Sequence, residues 1–299
     1  MKKYLLTVLL FVGSLFAALA QNQPIAHWKF DQIRIETKEA SLERGETYVP
    51  QEVFAYVKES VSGVENELKG TYYKEVKGVQ GKATLLDGYT AHIQIPEDHI
   101  PAVEKAFTVE AWVALGAYPK HDSPVLDYRR AEETGYYKGY SLEIDALGRP
   151  MLKVSTRGKY AIARGAETIP LDQWTHLVGK YSPEEGVSVY VNGKQVDEVE
   201  TEHAFNPVNP KDPGETPMLI GKSRSKRRPY GTIRPHGTKP AFTYIDGIMD
   251  ELKLYNDALS SRQIEDAYEQ GTPSDAPQLP ERILPSGPQS PEAFRAVNT

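Results

Sequence analysis

The feature that most constrains the fold is a two-residue alternation of apolar and polar side chains that recurs along most of the chain. This period is typical of β-strands with one buried face. Clear cases are "FTVEAWVAL" from Phe107, "WTHLVGKY" from Trp174 and "VSVYVNGKQV" from Val187, where Asn192-Gly193 favours a tight hairpin. No helical pattern separates these segments. The sequence therefore predicts an all-β fold of two antiparallel sheets packed face to face, a jelly-roll sandwich.

One short helix is predicted near the C-terminus. Ser260 and Gln263 have the spacing of a capping box, and Ile264 and Tyr268 follow at helical spacing. Gly271 is a typical helix stop. We expect this helix to pack over one end of the sandwich.

The first twenty residues have the pattern of a secretory signal peptide. Lys2 and Lys3 precede an apolar run, and Ala18-Leu19-Ala20 fits a cleavage site. We therefore expect residues 1–20 to be removed and the mature protein to be periplasmic or extracellular. No other apolar run is long enough to span a bilayer. The chain has no cysteine, so its stability cannot depend on disulfides.

The mature chain is expected to form one jelly-roll domain over residues 21–271, followed by a proline-rich linker or tail over residues 272–299. Residues 33–60 are charged and weakly patterned, which indicates an insertion in that domain. With 35 Lys and Arg against 41 Asp and Glu, the net charge of −6 gives no general reason to expect nucleic acid as a partner.

Two clusters of basic and aromatic residues are candidates for ligand binding. The first is the stretch from Thr216 to Ile245, which has no acidic residue and seven basic ones, and the second is "LDYRRAEETGYYKGY" from Leu126. Arginine forks suit sulfates and carboxylates, and a tyrosine ring offers a face to a sugar. We predict an anionic polysaccharide site, to which Arg157 and Arg164 are possible additions; the alternative is a solvated loop with ordinary surface tyrosines. The predicted ligand-binding residues are Tyr128, Arg129, Tyr137, Tyr140, Arg224, Arg227, Arg228 and Tyr230.

Seven segments, taken in order, resemble the signatures of the laminin-G-like, concanavalin A-like jelly-roll domains of bacterial secreted proteins. They cover roughly Ile25 to Gln270: "IAHWKFD", "LLDGYTAHIQIP", "AFTVEAWV", "WTHLVGKY", "VSVYVNGKQV", "LIGKS" and "IDGIMDELKLYNDALSSRQI". The resemblance implies a carbohydrate-binding or accessory module that acts with polysaccharide-degrading enzymes. By analogy with this family, the proline-rich tail is expected to be a linker, either to an enzyme partner or to a downstream catalytic domain that has been lost.

The same resemblance implies a structural calcium ion near the first and last strands, with Asp31 and Asp250 as ligands. Calcium takes six to eight oxygen ligands. Asp250 has the parity of Leu252 and Leu254, so a carboxylate is expected beside the core, where it needs a partner. The alternative is that Asp31 caps a turn and Asp250 accepts bonds from backbone amides. The family's Asp-Ser-x-Gly-Asn loop is replaced here by "ESVSGVEN" from Glu59.

A catalytic role is the alternative function. Some jelly rolls of this shape are glycosidases that carry acids as Glu-x-Asp-x-x-Glu on one strand, and "SLEIDALGRP" begins this pattern with Glu143 and Asp145. The third acid is missing, since Gly148 stands there. The alternative for these two acids is a solvent-facing Glu143 and a turn-forming Asp145. We therefore expect a non-catalytic carbohydrate-binding module rather than a glycoside hydrolase; a purely structural spacer is the weaker third interpretation.

Overall fold

A computed structural model describes residues 22–39, 51–131, 137–209, 216–225 and 242–279. It confirms the all-β fold with one short C-terminal α-helix. The strands within these ranges are β1 (Ala26–Glu39), β2 (Gln51–Glu59), β3 (Glu65–Lys69), β4 (Tyr73–Lys77), β5 (Lys82–Asp87), β6 (His92–Ile95), β7 (Phe107–Leu115), β8 (Ser123–Ala131), β9 (Tyr137–Ile144), β10 (Pro150–Thr156), β11 (Lys159–Arg164), β12 (Thr175–Ser182), β13 (Gly186–Val191), β14 (Lys194–Val199), β15 (Met218–Ile220) and β16 (Asp246–Tyr255). The α-helix is α1 (Ser261–Gly271), and Glu97–His99 form a single 3₁₀ turn.

The strands pair antiparallel in one continuous path that folds back on itself. Its order is β11-β10-β9-β8-β15-β6-β3-β2-β1-β16-β7-β12-β13-β14, with the β4–β5 hairpin joined to β16 through β5. The two ends of the path face each other, because β10 and β11 lie against β12, β13 and β14. The long strand β1 pairs with both β2 and β16 and so connects the two halves of the sandwich.

The core lies between these two halves and is rich in aromatic rings. Phe107 lies 4.4 Å from Tyr140 and 5.9 Å from Tyr181, measured between ring centroids, and all three side chains are fully buried. Trp28 and Trp112 are also buried. Burial of such apolar surface, worth roughly 25 cal/mol per Å², is the main stabilising contribution in a fold without disulfides.

Helix α1 begins with the predicted capping box. The backbone N–H of Gln263 donates to the Ser260 hydroxyl at 3.3 Å, and the backbone N–H of Ser260 donates to the Gln263 side chain at 2.9 Å. The predicted position of the helix is wrong. Ile264 packs on Val178 and Tyr190, which point outward from β12 and β13, so α1 covers an outer face of the sandwich rather than one end.

The predicted insertion at residues 33–60 contains a long β-hairpin. The second half of β1 pairs with β2 from Ile33↔Val57 to Glu39↔Gln51. Arg34 shares a face with Tyr56, lies 4.4 Å from its ring centroid and pairs with Glu65 at 2.7 Å. Glu36 pairs with both Arg34 and Lys38, so these three charges lie on one face of the sheet extension. The predicted signal peptide at residues 1–20 and most of the predicted tail lie outside the described residues. No helix in the described ranges is long and apolar enough to cross a bilayer.

Candidate functional site

The outward side of strands β8, β9, β10 and β11 carries a dense group of polar and aromatic side chains, here called the β8–β11 face. In β9, Tyr140, Leu142 and Ile144 point into the core, so Tyr137 and Glu143 point the other way. The same alternation places these side chains of the neighbouring strands on that face: Asp127 and Arg129 from β8, Lys153 from β10, and Tyr160 from β11.

Arg129 is the centre of a buried ion cluster on this face. Its Nε and Nη2 bind the two carboxylate oxygens of Asp127 at 2.7 Å each, and Nη2 also lies 2.7 Å from Glu143 Oε1. Lys153 Nζ lies 2.7 Å from Glu143 Oε2 and 2.8 Å from Asp122. Burial disfavours the charged guanidinium, but the pKa of Arg129 is raised because Asp127 and Glu143 lie against it. Two cations thus balance two fully buried carboxylates.

The predicted solvent-facing position of Glu143 is therefore wrong, since its side chain is buried and ion-paired. The prediction for Asp145 is confirmed: it accepts hydrogen bonds from the backbone N–H groups of Leu147 and Arg149, both at 2.9 Å, and so closes a turn. Asp145 also pairs with the Arg149 side chain at 2.7 Å. Both acids of the incomplete glycosidase pattern are held by neighbouring cations.

Beside the ion cluster lies an exposed aromatic pair. The rings of Tyr137 and Tyr160 lie 4.7 Å apart, and Tyr137 is 39% exposed. The Arg129 guanidinium carbon lies 5.9 Å from the centre of the Tyr160 ring, so the ion cluster and the aromatic pair are in contact. Asn206 donates to the backbone carbonyl of Tyr137 at 3.1 Å and fixes the position of that strand end. The pair offers an aromatic surface of the kind on which sugar rings pack.

The turn between β10 and β11 adds positive charge next to this pair. Arg157 and Gly158 have φ values of 50° and 80°, the left-handed conformation that Asn192 and Gly193 adopt in the β13–β14 turn. Arginine is uncommon at such a position. Arg157 and Lys159 are exposed. No acidic residue occurs between Asp145 and Glu167, so this edge hairpin has a basic surface.

The structure brings together only part of the predicted ligand-binding set. Arg129 and Tyr137 lie on the β8–β11 face, but Tyr128 and Tyr140 lie in the core, 4% and 0% exposed, and their prediction as surface residues is corrected. Arg224 is half-buried, which lowers its pKa, and its guanidinium donates to the carbonyl of Pro217. Its backbone N–H donates to Asp127 at 2.9 Å, so Arg224 supports the ion cluster. Arg227, Arg228 and Tyr230 lie outside the described residues.

Three residues of the face were not predicted from the sequence: Asp127, Lys153 and Tyr160. Tyr160 alternates with Ala161 and Ala163, which face the core side of β11, and this parity is a readable signal. Asp127 and Lys153 carry no such signal, because their role depends on partners from other strands.

Asp31 and Asp250, the predicted calcium ligands, meet at the turn between β4 and β5. Asp250 Oδ2 accepts a hydrogen bond from the backbone N–H of Val79 at 2.7 Å, and Asp31 Oδ1 accepts one from that of Lys82 at 2.9 Å. Burial, together with the nearby Glu251, raises the pKa of Asp250 to about 8. Both carboxylates, one from β1 and one from β16, thus accept hydrogen bonds from the same glycine-containing turn.

The donor set at this turn fits a hard cation in charge and in ligand type. Asp250 is fully buried, and no basic side chain pairs with it in the described part of the chain. A cation would compensate this charge. In the same described ranges no third acidic or histidine side chain joins the two carboxylates, so further ligands would have to be carbonyl oxygens or water. The amide bonds also match the alternative of turn capping, and calcium binding stays a prediction.

Comparison with known proteins gives one family match and several fold matches. No curated protein matches the chain. Domain 4 of AbnA, an extracellular GH43 arabinanase from Geobacillus stearothermophilus seen with arabinotriose, is 19% identical, with a TM-score of 0.50 over 82% of this chain and 98% of that domain. The binding domain of botulinum neurotoxin DC is 10% identical, with a TM-score of 0.49 over 72% of this chain and 48% of that one. A sialidase from Trypanosoma rangeli is 16% identical, with a TM-score of 0.47 over 84% of this chain and 33% of that one.

The likeness to domain 4 of the arabinanase, at 19% identity, shows a shared fold and no more. The family match is in the sequence itself: the model of the concanavalin A-like lectin/glucanases superfamily matches residues 87–265, which are 179 of the 299 residues. It begins at the last residue of β5, contains β6 to β16 and ends within α1. The chain therefore belongs to the concanavalin A-like lectin/glucanases superfamily.

Proposed function

We propose that this protein is an exported, non-catalytic module that binds a polysaccharide, preferentially an anionic one, on the β8–β11 face. The observation that carries the proposal is the exposed Tyr137 ring, packed on Tyr160 beside the basic turn of Arg157 and Lys159. A sugar ring packs on an aromatic face, and nearby cations favour a uronate or sulfate group. Domain 4 of the arabinanase, which shares the fold, binds arabinotriose, and this supports a saccharide ligand.

The ion pairs and hydrogen bonds of the acidic residues on this face support binding without cleavage. Retaining hydrolysis needs two carboxyl groups about 5–5.5 Å apart, one acting as nucleophile and one as acid. Glu143 is instead neutralised by Arg129 and Lys153, and Asp145 closes a turn. An enzyme partner that cleaves the bound polymer is part of the proposal, and the structural calcium ion at Asp31 and Asp250 is proposed with it.

The test is affinity electrophoresis in gels that contain polygalacturonate, a sulfated galactan or neutral arabinan. We expect retardation by the anionic polymers that weakens as salt rises, because exposed charges are screened. Tyr137→Ala should weaken binding about five- to tenfold, since an aromatic contact is worth roughly 1 kcal/mol. Arg157→Asn should weaken it to a similar degree while leaving the fold intact, because asparagine favours the left-handed turn conformation. Arg262→Ala, at an exposed position on α1, is the matched control.

The outcomes separate the parts of the proposal. Retardation by arabinan alone, lost in Tyr137→Ala but not in Arg157→Asn, would keep the face and remove the anionic preference. Wild-type binding by both variants would remove the β8–β11 face as the site. Release of reducing ends by the pure protein, lost in Glu143→Gln, would establish the glycoside hydrolase alternative.

A further inference from the structure

A pocket of about 620 Å³ lies on the other half of the sandwich, between strand β16, the residues before β1 and the C-terminal half of α1. Trp112, Lys253 and Tyr255 line it from the outer face of the sheet, and Ala267 and Gln270 line it from the helix. Sites for small ligands usually enclose about 300–1,000 Å³. The pocket has no residue in common with the β8–β11 face.

Charges in the wall of this pocket are already paired. Lys253 Nζ lies 2.9 Å from Oε1 of the buried Glu110, and His176 Nε2 lies 3.4 Å from the same oxygen. His27 Nε2 lies 2.8 Å from Glu251 Oε2. An ionic ligand would have to compete with these partners, so the wall favours an uncharged one.

Carboxamides provide the hydrogen-bonding capacity that remains. The side chains of Gln23, Gln80 and Gln270 line the pocket. Among the described residues none of these three side chains has a hydrogen-bond partner. Each carboxamide carries two donors and an acceptor. Hydroxyl groups, which donate and accept at once, are the complementary ligand chemistry.

Trp112 supplies an aromatic edge at the bottom of the pocket. Its ring lies 5.8 Å from Tyr268 and 5.1 Å from His176, which hold it in place. Gly271 ends α1 directly over the indole: a Cβ at this position would lie 3.0 Å from Trp112 Nε1. The missing side chain leaves the indole N–H edge at the pocket.

We propose that this pocket is a second ligand-binding site, for an uncharged, hydroxyl-rich molecule of the size of a mono- or disaccharide. The paired charges disfavour ionic ligands, the unpaired carboxamides bind hydroxyl groups, and the edge of the buried Trp112 indole borders the ligand. The proposal is independent of the polysaccharide site, because the residues of the two sites lie on opposite outer faces.

The test uses the indole N–H signals in proton–nitrogen NMR spectra of the full chain. The protein has three tryptophans, and the indole of Trp28 is buried and donates to Asn66. We expect titration with glucose, galactose, arabinose, xylose, maltose or lactose to shift the Trp112 signal, assigned with Trp112→Phe, and to leave that of Trp28 unchanged. Glucuronate should bind more weakly than glucose.

Matched variants locate the site. Gln270→Ala should weaken the binding of the sugar that shifts Trp112 about three- to tenfold, the usual cost of one lost hydrogen bond. Glu269→Ala, at the preceding exposed position of α1, and Tyr137→Ala, on the β8–β11 face, should bind as wild type. No shift of the Trp112 signal with any of these sugars would overturn the proposal, as would unchanged affinity in Gln270→Ala or tighter binding of glucuronate than of glucose.

Discussion

Replacing Arg129 tests whether the β8–β11 face depends on its buried ion cluster. Arg129→Leu removes the guanidinium that binds Asp127 through two 2.7 Å contacts and Glu143 through a third. Both carboxylates are fully buried. Glu143 would keep Lys153 as a partner, whereas Asp127 would keep, among the described residues, the backbone N–H of Arg224.

The magnitude follows from this loss of partners. Removing one member of a buried ion pair costs about 3–5 kcal/mol, because the remaining charge stays desolvated. We therefore expect Arg129→Leu to lower the free energy of unfolding by this amount. Arg129→Lys keeps the charge but cannot form the two-pronged contact, so about 1–3 kcal/mol is expected.

Urea unfolding, followed by tryptophan fluorescence and extrapolated linearly to water, measures the difference. The matched control is Arg164→Leu. Arg164 lies in β11, on the same half of the sandwich, with a 39% exposed side chain 3.8 Å from Asp145, and such pairs contribute less than about 1 kcal/mol. If Arg129→Leu lowers the free energy of unfolding by no more than Arg164→Leu does, the ion cluster does not stabilise the β8–β11 face.

Two further predictions concern other parts of the fold. Ile264→Ala removes the one fully buried side chain of α1 and should lower the free energy of unfolding by about 2–4 kcal/mol in the same assay. Glu265→Ala, at the next and exposed position, should change this free energy little. Equal effects of the two substitutions would mean that the helix does not depend on the Ile264 contact. A calcium ion shared by Asp31 and Asp250 would stabilise only the folded state, so chelation should lower the melting temperature and added calcium should restore it. Asp250→Ala should abolish both effects. A wild-type melting temperature that is identical with and without chelator would contradict calcium binding at this turn.

Local patterns in the sequence were sufficient for the start of the helix and for strands with a clear alternation, such as β7, β12 and β13, but not for β2 or β8. Asn192-Gly193 forms its predicted turn, and Ser260 with Gln263 forms its capping box, because each depends on neighbouring residues only. Tyr140 was predicted to bind ligand, although the same alternation indicates a core position. It has the parity of Leu142 and Ile144 and therefore belongs to the core.

Glu143 shows what local patterns do not contain. Its parity correctly places it opposite Leu142, but parity does not reveal that Arg129 and Lys153 cover it from adjacent strands. Which strands become neighbours is fixed by the whole sheet. The position of α1 was missed for the same reason, because the outward apolar residues Val178 and Tyr190 lie far from the helix in the chain.

The two outer faces of the sandwich use charge in opposite ways, and this gives their proposed ligands. On the β8–β11 face, carboxylates are buried under Arg129 and Lys153, while Arg157 and Lys159 at the edge stay exposed. These exposed charges of the β10–β11 hairpin are positive. In the pocket beside α1, the charged side chains of Glu251, Lys253 and Asp266 are each paired, so the carboxamides hold the hydrogen-bonding capacity that remains. Binding on the first face should therefore weaken as salt rises, and binding in the pocket should not, because only the first depends on unpaired exposed charge. A salt titration of both ligands on one protein sample would contradict this assignment if the two affinities fell together.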